Sequence, residues 1–93
     1  MPSRTVVVAS PVGLHARPAA VFTRAAAASG VPVRLQVAGA DPVDASSMLA
    51  VMTLGVGPGQ EVVLSADGAG SEQVLDRLAA LLSSAEPHPQ GTP

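Results

Sequence analysis

Two thirteen-residue segments with helical spacing constrain the fold of this chain more than any other feature. They run from 16 to 28 and from 71 to 83, and Ser71 is the predicted N-cap of the second. The predicted buried positions are Ala19, Phe22 and Ala26 in the first segment and Val74, Leu75, Leu78, Leu81 and Leu82 in the second. Two amphipathic helices of this length need a shared surface against which to bury these faces.

The remaining segments supply four short strands and one short helix. The strand segments are β-branched or alternate apolar with polar residues; they are 4–8, 31–37, 43–45 and 60–66. Ser46 and Ser47 precede a short helical segment, 48–52, whose free amides they can cap. The order βαββαβα predicts an α+β open-faced sandwich, with helices on one face of a four-stranded, mostly antiparallel sheet. Residues 1–83 form one domain, and 84–93, with three prolines and a glycine, are predicted to be a mobile tail.

Composition excludes several classes of function. The chain has no cysteine, which excludes disulfides and Cys-based redox or metal sites, and no metal or cofactor is expected. Five Arg and no Lys face seven acidic residues, and Tyr and Trp are absent, so nucleic acid is not an expected partner. The apolar stretches are short and interrupted, too short for a signal peptide or a membrane span. A cytoplasmic protein without a membrane partner is therefore expected.

The two histidines lie in different settings. His88 lies between two prolines in the predicted tail, whereas His15 lies between a turn and the first helix. At that N-cap position, the free amides of Ala16 and Arg17 and the positive end of the helix dipole favour an anion. Arg17 adds a charged fork for phosphate oxygens, and a neutral imidazole is a competent nucleophile near neutral pH. These residues alone leave two interpretations open, a phosphate-accepting histidine and a histidine that only caps the helix.

Two segments resemble the HPr family, the histidine-containing phosphocarriers of the phosphoenolpyruvate-dependent sugar phosphotransferase system. They are GLHARPA at 13–19 and SSMLAVMTLG at 46–55, and length and element order agree over nearly the whole chain. The resemblance implies that His15 receives a phosphoryl group on Nδ1 from phosphorylated enzyme I and donates it to an enzyme IIA domain for sugar uptake. It further implies that Arg17 orients the group, that Ala16 and Arg17 bind it, and that the chain is a carrier and not an enzyme.

The resemblance also implies a regulatory position and a docking surface. Ser47 matches a serine that an ATP-dependent kinase phosphorylates in some family members, which would add a serine kinase and a phosphorylase as partners. The alternative is that Ser47 is a plain N-cap. The implied partner-binding positions are Ala16, Ala20, Arg24, Met48, Leu49 and Met52. Spacing alone leaves Leu49 and Met52 open between core and surface. Ser46 and Ala27 occupy positions where the family often carries Lys, so weaker electrostatic steering toward acidic partners is expected. The chain is also expected to be a monomer.

Three alternative functions remain open on sequence alone. A regulatory HPr-like binding protein would act through phosphorylation of Ser47 without sugar-linked transfer, although the presence of His15 counts against it. A paralogous carrier for a nitrogen or dihydroxyacetone branch would use the same residues, so the branch is not determined. A small-molecule-binding module on the open sheet would leave the motif at 13–19 unexplained.

Overall fold

A computed structural model describes residues 2–84. The strands are β1 (Ser3–Val7), β2 (Val33–Gln36), β3 (Val43–Asp44) and β4 (Glu61–Ala66). The helices are α1 (Ala16–Ala28), α2 (Met48–Thr53) and α3 (Ser71–Ser83). The predicted order and the α+β open-faced sandwich are confirmed. Apart from Ser84, the predicted mobile tail at 84–93, including His88, lies outside the described residues.

The sheet has the strand order β1-β4-β2-β3, and all three pairings are antiparallel. The last strand in sequence, β4, is therefore central and pairs with both β1 and β2. Val7, at the end of β1, pairs with Glu61, at the start of β4. The loop that follows β1 and the loop that precedes β4 therefore meet at the same end of the sheet.

One face of the sheet is covered by the helices. In β2, Val33 and Leu35 are buried while Arg34 and Gln36 are exposed, as the alternation of strand side chains requires. The predicted buried face of α1 is confirmed, because Ala19, Phe22 and Ala26 are all at most 3% exposed. Burial of a large apolar side chain stabilises a fold by about 1.5–3 kcal/mol. The core between helices and sheet therefore holds the two loops in fixed positions at the sheet end.

The predicted N-cap of α3 is wrong. The N-cap is Gly70, which has a φ of +79°, and Ser71 is the first helical residue, only 3% exposed. The chain enters α3 through a left-handed backbone conformation that glycine adopts at little cost. The hydroxyl of Ser71 therefore lies one position too late to cap the helix.

The buried stripe of α3 is narrower than predicted. Leu75, Leu78 and Leu82 are buried. Val74 is partly buried and Leu81 is 38% exposed, because both lie on one flank of that stripe. The prediction that Leu81 is buried is therefore wrong.

The second strand is shorter than predicted because α1 ends in a turn that includes the first predicted strand residues. The N–H of Val31 donates to Ser29 Oγ at 3.1 Å, and Gly30 between them has a φ of +74°. The strand begins at Val33. Every other strand or helix boundary lies within one residue of its prediction.

Candidate functional site

The turn before α1 is anchored in the core. Leu14 is fully buried, and its N–H donates to the carbonyl of Val56 at 3.0 Å. The N–H of Gly13 donates to the carbonyl of Ser10 at 3.0 Å, which closes the turn. Leu14, directly before His15, is fixed both by burial and by a hydrogen bond. The backbone that carries His15 is therefore held in place.

Gly13 fits its position because it has no side chain. Its φ is +70°, and a Cβ placed there would overlap the carbonyl oxygen of Val56 and lie 2.8 Å from the Cα of Gly57. The backbones of the two loops therefore touch directly. This contact was not predicted from the sequence, because a contact between two distant segments leaves no local pattern.

His15 is the N-cap of α1, as predicted, with extended backbone angles (φ −133°, ψ 162°). Its side chain makes no capping hydrogen bond, and the residue is partly exposed. The ring is therefore not used to satisfy the helix end, and a purely capping role finds no support in this geometry.

Ala16 has a φ of +52°, which makes it the one non-glycine residue with positive φ in the described part of the chain. For a residue with a Cβ this conformation costs about 1–2 kcal/mol. The first hydrogen bond of α1, from the N–H of Ala19 to the carbonyl of His15, is long at 3.5 Å. Backbone strain is thus concentrated beside His15, at the helix end where the first amides have no intrahelical acceptor.

Arg17 and Arg24 are both exposed on α1. Within residues 2–84 neither forms an ion pair, since the ion pairs there join Arg4 to Glu72 at 3.3 Å and to Asp76 at 2.8 Å. The first turn of α1 contains no acidic residue. The guanidinium of Arg17 is therefore available to an anion held at the helix end.

Ser47 is the N-cap of α2, as predicted, and its Oγ accepts the N–H of Ala50 at 3.2 Å. The turn before it is closed by Asp44, whose Oδ1 accepts the Ser46 hydroxyl at 2.7 Å and the Ser46 N–H at 2.9 Å. These two bonds lower the pKa of the Asp44 carboxyl, and the bond from the Ser46 hydroxyl has the larger effect. The ionised carboxylate thus holds the turn that leads into α2.

The helices α1 and α2 contact each other and share a surface. Thr23 Oγ1 lies 3.7 Å from the Met48 Sδ, which links the two helices and leaves Met48 partly buried. Leu49 is 80% exposed and Met52 is 39% exposed, so neither fills the core. The predicted positions on α1 are Ala16 and Arg24, which are exposed, and Ala20, which is partly buried. We call these six residues, Ala16, Ala20, Arg24, Met48, Leu49 and Met52, the α1–α2 surface.

The exposed apolar side chain of Val12, close to His15 in the chain, was not predicted from the sequence. Val12 is 53% exposed in the turn three residues before His15. Its place between Pro11 and Gly13 was the available signal, because a turn between those residues has no core to bury it.

In the described range 2–84, no group of three His, Cys, Asp or Glu side chains is arranged to hold a metal ion. No helix in that range is long and apolar enough to cross a membrane.

Comparison with known proteins decides the family. The model of the family described as the PTS HPr component phosphorylation site matches residues 2–84. The chain belongs to the HPr family. It is 52% identical over 83 residues to the phosphocarrier protein HPr of Streptomyces coelicolor, a match that covers 89% of each chain. It is 46% identical over 84 residues to the HPr of Haloferax volcanii, covering 89% of this chain and 94% of that one.

Solved HPr structures share the fold. The HPr of Bacillus anthracis superposes with a TM-score of 0.82 at 31% identity and covers 87% of this chain and 95% of its own. An HPr dimer from Thermoanaerobacter tengcongensis gives a TM-score of 0.66 at 34% identity, covering 87% and 92%. The chain is a phosphocarrier protein of the phosphotransferase system and not an enzyme. Its expected monomeric state stays a prediction.

Proposed function

We propose that this HPr chain accepts a phosphoryl group on Nδ1 of His15 from phosphorylated enzyme I and donates it to an enzyme IIA domain in the cytoplasm. One observation carries the proposal: His15 is partly exposed at the N-cap of α1, and its ring makes no capping bond. The amides of the first turn and the exposed Arg17 lie directly after it.

Transfer to His15 exchanges one bond to phosphorus for another. The lone pair on Nδ1 attacks the phosphorus, and the bond between phosphorus and the donor atom of enzyme I breaks. The electron pair of that bond returns to the donor atom, and the reverse exchange with enzyme IIA releases the group. The chain contributes position and charge to both steps, and a neutral imidazole supplies the nucleophile.

Arg17 and the first-turn amides hold the transferred group only moderately. Each such contact contributes about 0.3–1 kcal/mol at an exposed helix end. A carrier has to accept the group from one partner and release it to another, so modest contacts suit reversible transfer better than a tight cage.

The direct test is incubation of the chain with phosphoenolpyruvate and purified enzyme I, followed by intact-mass measurement at neutral and acidic pH. We expect one added phosphate that is stable at neutral pH and lost in acid. No added phosphate, or one that survives acid, contradicts the proposal. Transfer from the labelled chain to a panel of sugar, nitrogen-branch and dihydroxyacetone-branch acceptors then identifies the branch that it serves.

Enzyme I and enzyme IIA dock on the α1–α2 surface in this proposal. The exposed Leu49 and Met52 supply apolar area, and Arg24 and the neighbouring Arg17 give its rim positive charge. Because Met48 is held against Thr23, Leu49 is the residue best placed to insert into a partner.

Leu49→Asp is expected to weaken binding to enzyme I and enzyme IIA by about tenfold or more, since it puts a charge into the centre of an apolar contact. The circular dichroism spectrum should not change, because the Leu49 side chain is 80% exposed. Titration calorimetry with each partner measures the loss. Leu81→Asp, at an exposed leucine on α3, is the matched control and should bind normally. Equal losses of binding in the two variants would show that the docking site lies elsewhere.

A regulatory role for Ser47 is the second candidate function. Its hydroxyl caps α2, and Ser47 directly precedes Met48, a residue of the α1–α2 surface. A phosphate there would add about −1.5 to −2 charges beside that surface. Because a negative charge at a helix N-terminus is favourable, the fold should tolerate it while acidic groups of enzyme I are repelled.

Ser47→Asp is expected to raise the apparent KM for transfer from enzyme I several-fold, with a smaller fall in kcat, because the added charge opposes association. Added salt should partly relieve the defect. Ser47→Asn is the matched control, since it caps as well as Asp and carries no charge. If both variants give the same kinetics as the unchanged chain, Ser47 is only a cap.

A further inference from the structure

We propose that Gln60 is a positioning residue for His15, acting through the backbone of Gly57 and the turn at Gly13. The proposal rests on the role of His15 proposed above.

Gln60 holds both polar backbone groups of Gly57. The N–H of Gly57 donates to Gln60 Oε1 at 3.0 Å, and the N–H of Gln60 donates to the carbonyl of Gly57 at 3.2 Å. One residue thus fixes the amide and the carbonyl of another. The side-chain bond is the part of this clamp that a substitution can remove.

Gln60 is itself tied to the strand end. Its carbonyl accepts the N–H of Val8 at 2.9 Å, and the N–H of Gly59 donates to the carbonyl of Val8 at 2.8 Å. Val8 is fully buried. Through these bonds to Val8, the clamp on Gly57 is anchored to the end of the sheet.

The clamped loop supports the turn that carries His15. A Cβ on Gly13 would lie 2.8 Å from the Cα of Gly57, and the N–H of Leu14 donates to the carbonyl of Val56 at 3.0 Å. His15 follows Leu14 directly. A displacement of Gly57 therefore reaches His15 through two backbone contacts, with no flexible side chain between them.

This loop needs a restraint from a side chain. Three of the five residues at 55–59 are glycine, and Gly55 and Gly59 have φ values of +66° and +79°. Glycine-rich backbone has many accessible conformations and loses more entropy on ordering than other sequences. The Gln60 side chain supplies a hydrogen bond that selects one of these conformations.

The test uses three variants of the full chain. Gln60→Leu removes the acceptor at similar volume, and Gln60→Glu keeps an oxygen acceptor at the same reach. Gln36→Leu is the matched control, because Gln36 Nε2 makes a comparable 3.0 Å bond to the carbonyl of Ala40, in the turn after β2. Two quantities are measured: kcat and KM for phosphoryl transfer from enzyme I, and the hydrogen-exchange rate of the Leu14 amide without any partner.

Gln60→Leu is expected to lower kcat and to speed Leu14 exchange, each by about fivefold, the factor that a net hydrogen bond of this type supplies. KM should hold, because the α1–α2 surface is untouched. In Gln60→Glu and in Gln36→Leu, kcat and the Leu14 exchange rate should each stay within about twofold of the values for the unchanged chain. A general effect of losing one surface hydrogen bond would appear equally in Gln60→Leu and Gln36→Leu.

Each contrary result has one meaning. An unchanged kcat or an unchanged Leu14 exchange rate in Gln60→Leu overturns the proposal, and so does a Gln36→Leu variant with equal losses. If the unchanged chain accepts no phosphate, the proposed function fails, while the exchange rate of Leu14 still decides whether Gln60 positions the turn.

Discussion

Replacement of His15 by alanine is expected to abolish phosphorylation by enzyme I. The imidazole at the N-cap of α1 is the proposed nucleophile, and the neighbouring Ala16 and Leu14 carry no group that can form a bond to phosphorus. The fold should be retained, because the His15 side chain makes no capping bond. The measurement is intact mass after incubation with phosphoenolpyruvate and enzyme I, together with a thermal melt.

Two variants bracket this result. His88→Ala, outside the described residues, should accept phosphate as fully as the unchanged chain. Arg17→Ala keeps the acceptor and should be labelled to the same extent but about tenfold more slowly, the effect of one lost charge-assisted contact. Phosphate that remains on His15→Ala would move the acceptor to another residue.

Local patterns in the sequence were enough to place α1, α2 and α3 and the buried face of α1. The spacing of Ala19, Phe22 and Ala26 identified the core side of α1. The helix and its buried face are as predicted, because burial and the helical period agree there. Ser47 was predicted as a cap because a hydroxyl residue directly precedes a short apolar run, and its Oγ does accept the N–H of Ala50. At these positions the local and tertiary preferences agree.

Where tertiary structure overrides the local preference, the sequence did not predict the outcome. Gly70 rather than Ser71 is the N-cap of α3, because the chain enters the helix through a left-handed backbone conformation. The positive φ of Ala16 is a second conformation that the sequence did not predict. Ala16 lies two residues after the fully buried Leu14 and is the first residue of α1. Alanine by itself predicts a regular helix at that position.

The contact between Gly13 and the backbone at Val56 and Gly57 is of the same kind, and it carries the largest expected effect on stability. Gly13→Ala places a Cβ at a φ of +70° and into the carbonyl oxygen of Val56. The two loops have to separate, which breaks the 3.0 Å bond from the N–H of Leu14 to that carbonyl. We expect the free energy of unfolding to fall by about 3 kcal/mol, from backbone strain and overpacking together.

Gly30→Ala separates these two causes. Gly30 has nearly the same φ, +74°, but apart from its chain neighbours no residue has an atom within 4 Å of its Cβ position, so only the strain of about 1 kcal/mol applies. Urea unfolding followed by circular dichroism gives both values. At a temperature where both variants are folded, transfer to His15 should be slowed in Gly13→Ala alone, since that substitution moves the turn before the histidine. Equal losses of stability and equal transfer rates in the two variants would mean that the close approach of the loops does not position His15.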